Sequence, residues 1–156
     1  MTTHVLEQAI SNLVKIAQIN NLAEVQAIDT ALAEVMFFND PSVIRPLIRL
    51  IEDNAQYDDA IFSILHSIES FQDDVYISEV LKELPYFVHK APRWASILFM
   101  RILNSESARE CITEKLYFVN SEIKAAVLQI TKMINDESPK FLEKTFTVIN
   151  AAKKSG

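Results

Sequence analysis

A single glycine occurs in this chain of 156 residues, and it is the last one, Gly156. Glycine reaches positive φ without steric cost, so every internal turn that needs such a backbone falls to Asn or Asp. Tight two-residue hairpins of the Asn-Gly or Asp-Gly kind are absent, which argues against an all-β fold. The same absence removes every glycine-rich phosphate cradle. Neither a P-loop nor a dinucleotide fingerprint is present.

Apolar residues instead recur at helical spacing. Leu6, Ala9, Ile10, Leu13, Ile16 and Ala17 follow the i, i+3, i+4, i+7 pattern of an amphipathic helix that breaks at Asn20-Asn21. Asn21 and Glu24 stand in capping-box spacing before Leu22, Val25, Ile28, Leu32 and Val35. Asp40-Pro41 opens a third helix with an acidic cap and a proline at its first position, and Pro46 farther in predicts a kink. A fourth helix carries Ile61, Ile64, Leu65 and Ile68; a fifth begins at about Asp74 and is stopped by Pro85. A sixth starts near Pro92 with Trp94, Leu98 and Ile102. Ser107 and Glu110 repeat the capping-box spacing for a seventh, Ser121 precedes an eighth, and Ser138-Pro139 opens a ninth.

These starts fall about 14 to 19 residues apart. The spacing predicts an all-α fold, a HEAT-like α-solenoid of eight to nine short antiparallel helices in one domain spanning 1–156. An irregular helical bundle is the alternative that gives the same spacing. Length and a hydrophobic content of 49% suffice for a substantial core. The longest run without Asp, Glu, Lys or Arg is Ala60 to Ile68, far short of the roughly 20 apolar residues that span a bilayer. The start, Met1-Thr2-Thr3-His4, lacks the features of a secretory signal, so the reading is a cytoplasmic protein without a membrane partner. Cys111, the sole cysteine, reads as a small buried hydrophobe.

Charge is distributed unevenly. Between Glu52 and Glu83 nine acidic residues accompany one base, Lys82, while the whole chain carries a formal charge of −6. The segment alone carries −8, and residues 84–156 carry +4. A clustered field of one sign steers oppositely charged macromolecules and repels nucleic acid. The basic C-terminal half does not reverse this: Arg101, Arg109, Lys115 and Lys124 alternate with Glu106, Glu110, Glu114 and Glu122, so no unopposed basic stripe is available for phosphates. Direct nucleic-acid binding is not expected.

Chemistry is sparse. His4, His66 and His89 are far apart and no His-x-x-x-His or Cys-x-x-Cys pair exists, so no metal, cofactor or catalytic residue is assigned. His66 reads as packed among Ile64, Leu65 and Ile68, and His89 as a solvated residue of the connection between Pro85 and Pro92. The acidic belt is the candidate site: Asp53, Asp58, Asp59, Glu69, Asp73, Asp74 and Glu79, with Tyr57, Phe71 and Tyr76 among them as exposed aromatic anchors. Acids at helix starts are locally favourable, and an acidic run is commonly a solvated face. Nine acids with so little counter-charge exceed what helix ends require, and a cationic partner relieves their repulsion.

The stretch Asp58 to Phe71, followed by Tyr76 to Pro85, Lys90 to Ala95 and Arg101 to Asn104, resembles the immunity proteins of bacterial polymorphic toxin and contact-dependent growth inhibition systems. It is most similar to the all-α family numbered thirty among them, over about residues 55–135. The resemblance implies a cytoplasmic, non-enzymatic antidote that binds one cognate toxin domain, often a nuclease, as a monomer and one to one. It carries over no catalytic residue. A helical-repeat adaptor for another cytoplasmic protein, and a helical enzyme or small-ligand receptor, are the alternatives from other classes.

Overall fold

The computed structural model describes residues 2–20, 25–54 and 58–154. All regular structure among them is helical, as the periodicity predicts: α1 (Thr2–Asn20), α2 (Val25–Met36), α3 (Ile44–Arg49), α4 (Asp58–Glu69), α5 (Asp73–Lys90), α6 (Pro92–Asn104), α7 (Glu106–Lys115), α8 (Ser121–Glu137) and α9 (Leu142–Lys153). Short 3-10 turns precede α3, follow α7 and precede α9. The predicted capping box at Asn21 and Glu24, and Tyr57, lie outside the described residues. The chain divides into two compact units, Met1–Phe71 and Gln72–Gly156.

In the first unit α1 packs on α2, α2 on α4 and α3 on α4. Its core follows the predicted stripes: Leu6 and Leu13 from α1, Ile28, Leu32 and Val35 from α2, and Ile61, Ile64, Leu65 and Ile68 from α4. The turn after α2 shows how a chain short of glycine closes a helix. Asn39 takes φ 48°, the left-handed region that Asn tolerates better than other residues bearing a Cβ. Asp40 then accepts from the Ser42 amide at 2.9 Å, as expected of an acidic cap. The segment beyond this cap is not one long helix. A 3-10 turn over Pro41–Val43 gives way to the six-residue α3, which places Pro46 in the first turn of the α-helix, where four N–H groups lack partners anyway.

In the second unit α5 packs against α6, α7 and α8, and α9 against α7 and α8. Pro85 does not stop α5, which runs 18 residues to Lys90. An internal proline costs about 3 kcal/mol. Phe87 and Val88, just beyond it, are almost completely buried, and burial of such side chains stabilises by roughly 1.5–3 kcal/mol each, so packing offsets the lost hydrogen bond. His89 therefore belongs to α5 and not to a connection, and it is exposed there. The caps of the next helices also sit earlier than expected. Ser105, not Ser107, accepts from the Ala108 amide at 3.3 Å, and Asn120, one residue before Ser121, accepts from the Ile123 amide at 2.9 Å. Trp94, Phe87 and Phe99 are the largest fully buried side chains of this unit.

Candidate functional site

The acidic stretch is divided between the two units. In the first, Asp58 and Asp59 stand exposed in the opening turn of α4, at the partially positive end of the helix dipole. Ser63 Oγ donates to the Asp59 carbonyl at 3.2 Å, engaging its main chain and not its carboxylate. Asp53, in the turn after α3, and Glu69, the last residue of α4, are half-buried. Phe71 departs from expectation: it is 9% exposed because it continues the apolar stripe of Ile64 and Ile68, and so it packs inward.

In the second unit Asp73 and Asp74 open α5, and both are engaged by α7. Ser107 Oγ donates to Asp73 Oδ2 at 2.7 Å, and Lys115 Nζ lies 2.8 Å from Asp74 Oδ1. Ser107 is in the first turn of α7 and Lys115 is its last residue, about 12 Å apart along the axis. Two adjacent carboxylates thus hold α7 near both of its ends. Sequence spacing carries no sign of this, because the partners come from a helix two elements farther along the chain. Glu79 pairs with Lys82 at 3.3 Å within α5. Tyr76 is 5% exposed and Glu83 1%, since both lie on the stripe that α5 turns to its neighbours. Neither presents itself to a partner, and the expectation of Phe71 and Tyr76 as exposed aromatic anchors is corrected.

Cys111, on α7 between the two tethered ends, is half-buried and not fully enclosed. Burial raises its thiol pKa above the ordinary value; Lys115 opposes that shift, and the charges of Asp74, Asp73 and Glu114 add to it. His66 is also not packed: it is exposed on α4, its ring 6.4 Å from that of Phe62. Among the described residues no three His, Cys, Asp or Glu side chains converge as metal ligands, and no helix is long and apolar enough to cross a membrane.

Two features go beyond the sequence patterns. Phe37, 85% exposed, and Phe118, 90% exposed, project into solvent, as do Leu142 and Phe146 at i, i+4 on α9. The signal for Phe37 is its place directly after the α2 stripe, out of phase with Ile28, Leu32 and Val35. In addition, α1 and α2 border an open groove of about 1250 Å³ whose lining mixes the apolar Val5, Ala9, Ala33, Phe37 and Phe38 with the neutral polar Gln8, Asn12, Gln26 and Thr30 and the acids Asp29 and Glu34.

The described residues are helical where they are regular, and they present charged and apolar surfaces. The family model of Immunity protein 30 matches residues 15–112, more than half of the chain and a span reaching from α1 into α7. The chain belongs to that family. It is therefore an immunity protein, and membership implies a cognate toxin as its partner. Neither a curated protein nor a solved structure matches it.

Proposed function

We propose that this immunity protein neutralises a nuclease-type toxin domain of a contact-dependent or related polymorphic toxin system, in the cytoplasm, by applying acidic surface to the toxin's basic cleft. A nuclease must hold phosphates, so its active-site cleft is cationic, and anionic surface competes for the same field. The observation that carries the reading is the acidic segment 52–83, whose Asp58 and Asp59 stand exposed at the start of α4. The proposed contact residues are Asp53, Asp58, Asp59 and Glu69 in the first unit and Asp73, Asp74 and Glu79 in the second; Phe71 and Tyr76 are buried. Complex formation is one to one and requires no cofactor.

The test uses the toxin domain encoded beside this chain. Co-expression protects cells from that domain, and the purified pair associates in a salt-sensitive way, slowing about tenfold or more between about 50 and 500 mM salt. Protection without any salt dependence removes the acidic surface from the mechanism. Absence of both protection and binding removes the pairing with that toxin.

A further inference from the structure

We infer that the groove between α1 and α2 is a second docking surface, and that its occupant is a cationic amphipathic helix of the toxin. The inference rests on the immunity reading and extends it to a surface outside the acidic segment. The groove is built from stripes at helical spacing on two neighbouring helices: Val5 and Ala9 on α1, Ala33 and Phe37 on and just after α2. The alanines allow close approach of another backbone, while Phe37, 85% exposed and in edge contact with the Phe38 ring at 5.9 Å, supplies a large apolar anchor. The backbone around that anchor is fixed. The Phe37 amide donates to the Ala33 carbonyl at 3.0 Å, the Asn39 amide donates to the Met36 carbonyl at 3.0 Å, and Asn39 turns the chain away at positive φ.

Size selects the kind of occupant. Small-molecule pockets measure about 300–1,000 Å³ and enclose most of their ligand, whereas this groove is larger and open. A helix about 10 Å across can lie along an open groove of this kind with one face inside it. Helices seat in such grooves through anchors at i, i+3, i+4 and i+7. Charge selects the sign. Asp29 and Glu34 line the groove with no Lys or Arg beside them among the described lining residues, and both are exposed. An anionic bilayer is repelled by that rim. Groove-to-groove pairing of two copies would set one acidic rim against the other. A helix with an apolar stripe flanked by Lys or Arg satisfies both the floor and the rim.

The experiment measures the full-length chain against the toxin domain encoded beside it, with Phe37→Ala and Glu34→Lys as single variants and melting temperature as the control for folding. Both positions are exposed, so wild-type melting is expected. Each variant is expected to weaken toxin binding by roughly tenfold to a hundredfold. A synthetic helix of about twelve residues, with leucines at i, i+3, i+4 and i+7 and lysines on its flanks, is expected to bind the wild-type chain and to lose affinity with both variants. Its counterpart with glutamate for lysine is expected not to bind. If wild-type chain binds toxin and both variants bind it equally well, the groove inference is overturned while the immunity reading stands. If sedimentation shows a wild-type dimer that Phe37→Ala dissolves, the groove is a self-contact and the inference is likewise overturned. If wild-type chain and toxin do not associate at all, the pairing beneath the inference fails, and the synthetic helix still decides whether the groove takes a cationic helix.

Discussion

Lys115, at the end of α7, lies 2.8 Å from the carboxylate of Asp74 in the first turn of α5, so one acid of the anionic segment has its counter-charge from the basic half of the chain. The aspartate side chain is 81% exposed, and solvent screening keeps such a pair to about 0.2–1 kcal/mol. Lys115→Met is expected to lower the melting temperature by about 4 °C or less. A double-mutant cycle with Asp74→Asn should return a coupling that shrinks as salt is raised. A coupling indistinguishable from zero at low salt would mean that the Lys115 pair adds nothing to the packing and the Ser107–Asp73 hydrogen bond that hold α7.

The same neighbourhood governs Cys111. Burial first, then the negative charges of Asp74, Asp73 and Glu114, raise its thiol pKa, so the nucleophilic thiolate is scarce at neutral pH. Alkylation by iodoacetamide is expected to be slower than for a free thiol and to accelerate as pH rises. Replacing Asp73 and Asp74 by Asn removes two charges that raise the pKa and leaves the opposing Lys115 in place. The shift is therefore downward, and alkylation at a fixed neutral pH should speed up. Unchanged rates in that double variant, with melting preserved, would assign the slow reaction to shielding and not to charge.

Legible in the sequence is whatever depends on local periodicity. The stripes of α2 and α4 are buried as their spacing requires, the Asp40 cap forms, and the helices expected from about Asp74 and near Pro92 begin at Asp73 and Pro92. The departures share a physical origin in tertiary packing. Pro85 reads as a stop because the local cost is large, but burial of Phe87 and Val88 outweighs it. Phe71 and Tyr76 read as exposed because acids surround them in sequence, although Tyr76 falls on the inward stripe of α5 and Phe71, just after α4, is buried in the turn that follows it. The Ser107 contact to Asp73 depends on which helices meet, and periodicity does not encode that.

Asn39 offers a direct check on the consequence of having no internal glycine. Its φ of 48° lies where a Cβ costs roughly 1–2 kcal/mol in most residues, with Asn partly exempt. Asn39→Ala is expected to destabilise by about 1 kcal/mol, and Asn39→Gly to leave stability within about half a kcal/mol of wild type. Because this turn also aims Phe37 at the groove, Asn39→Ala should weaken the synthetic helix as well, in proportion to the fraction of chain that loses the turn. Equal stability of the Ala and Gly variants would show that the turn relaxes without needing the left-handed backbone.

The two acid pairs separate a binding role from a structural one. Asp58 and Asp59 occupy the first turn of α4, and Asp73 and Asp74 the first turn of α5, so both pairs gain from the helix dipole by about 0.3–1 kcal/mol per residue. The second pair also tethers another helix, through Ser107 and Lys115. Replacing Asp73 and Asp74 by Asn should therefore lower both melting temperature and toxin affinity. Melting falls because the charge pair with Lys115 is lost, while the side-chain amide oxygen introduced at position 73 still accepts from Ser107. Replacing Asp58 and Asp59 by Asn should act mainly on toxin association, slowing it while melting changes by only the dipole contribution. A rim contact costs about 1 kcal/mol or less in affinity, whereas a carboxylate buried against a toxin Lys or Arg costs roughly 2–5 kcal/mol and shows as faster dissociation. Wild-type affinity in both double variants would identify the acidic segment as a solvated face with a tether at one end, and would leave the α1–α2 groove as the surface to pursue.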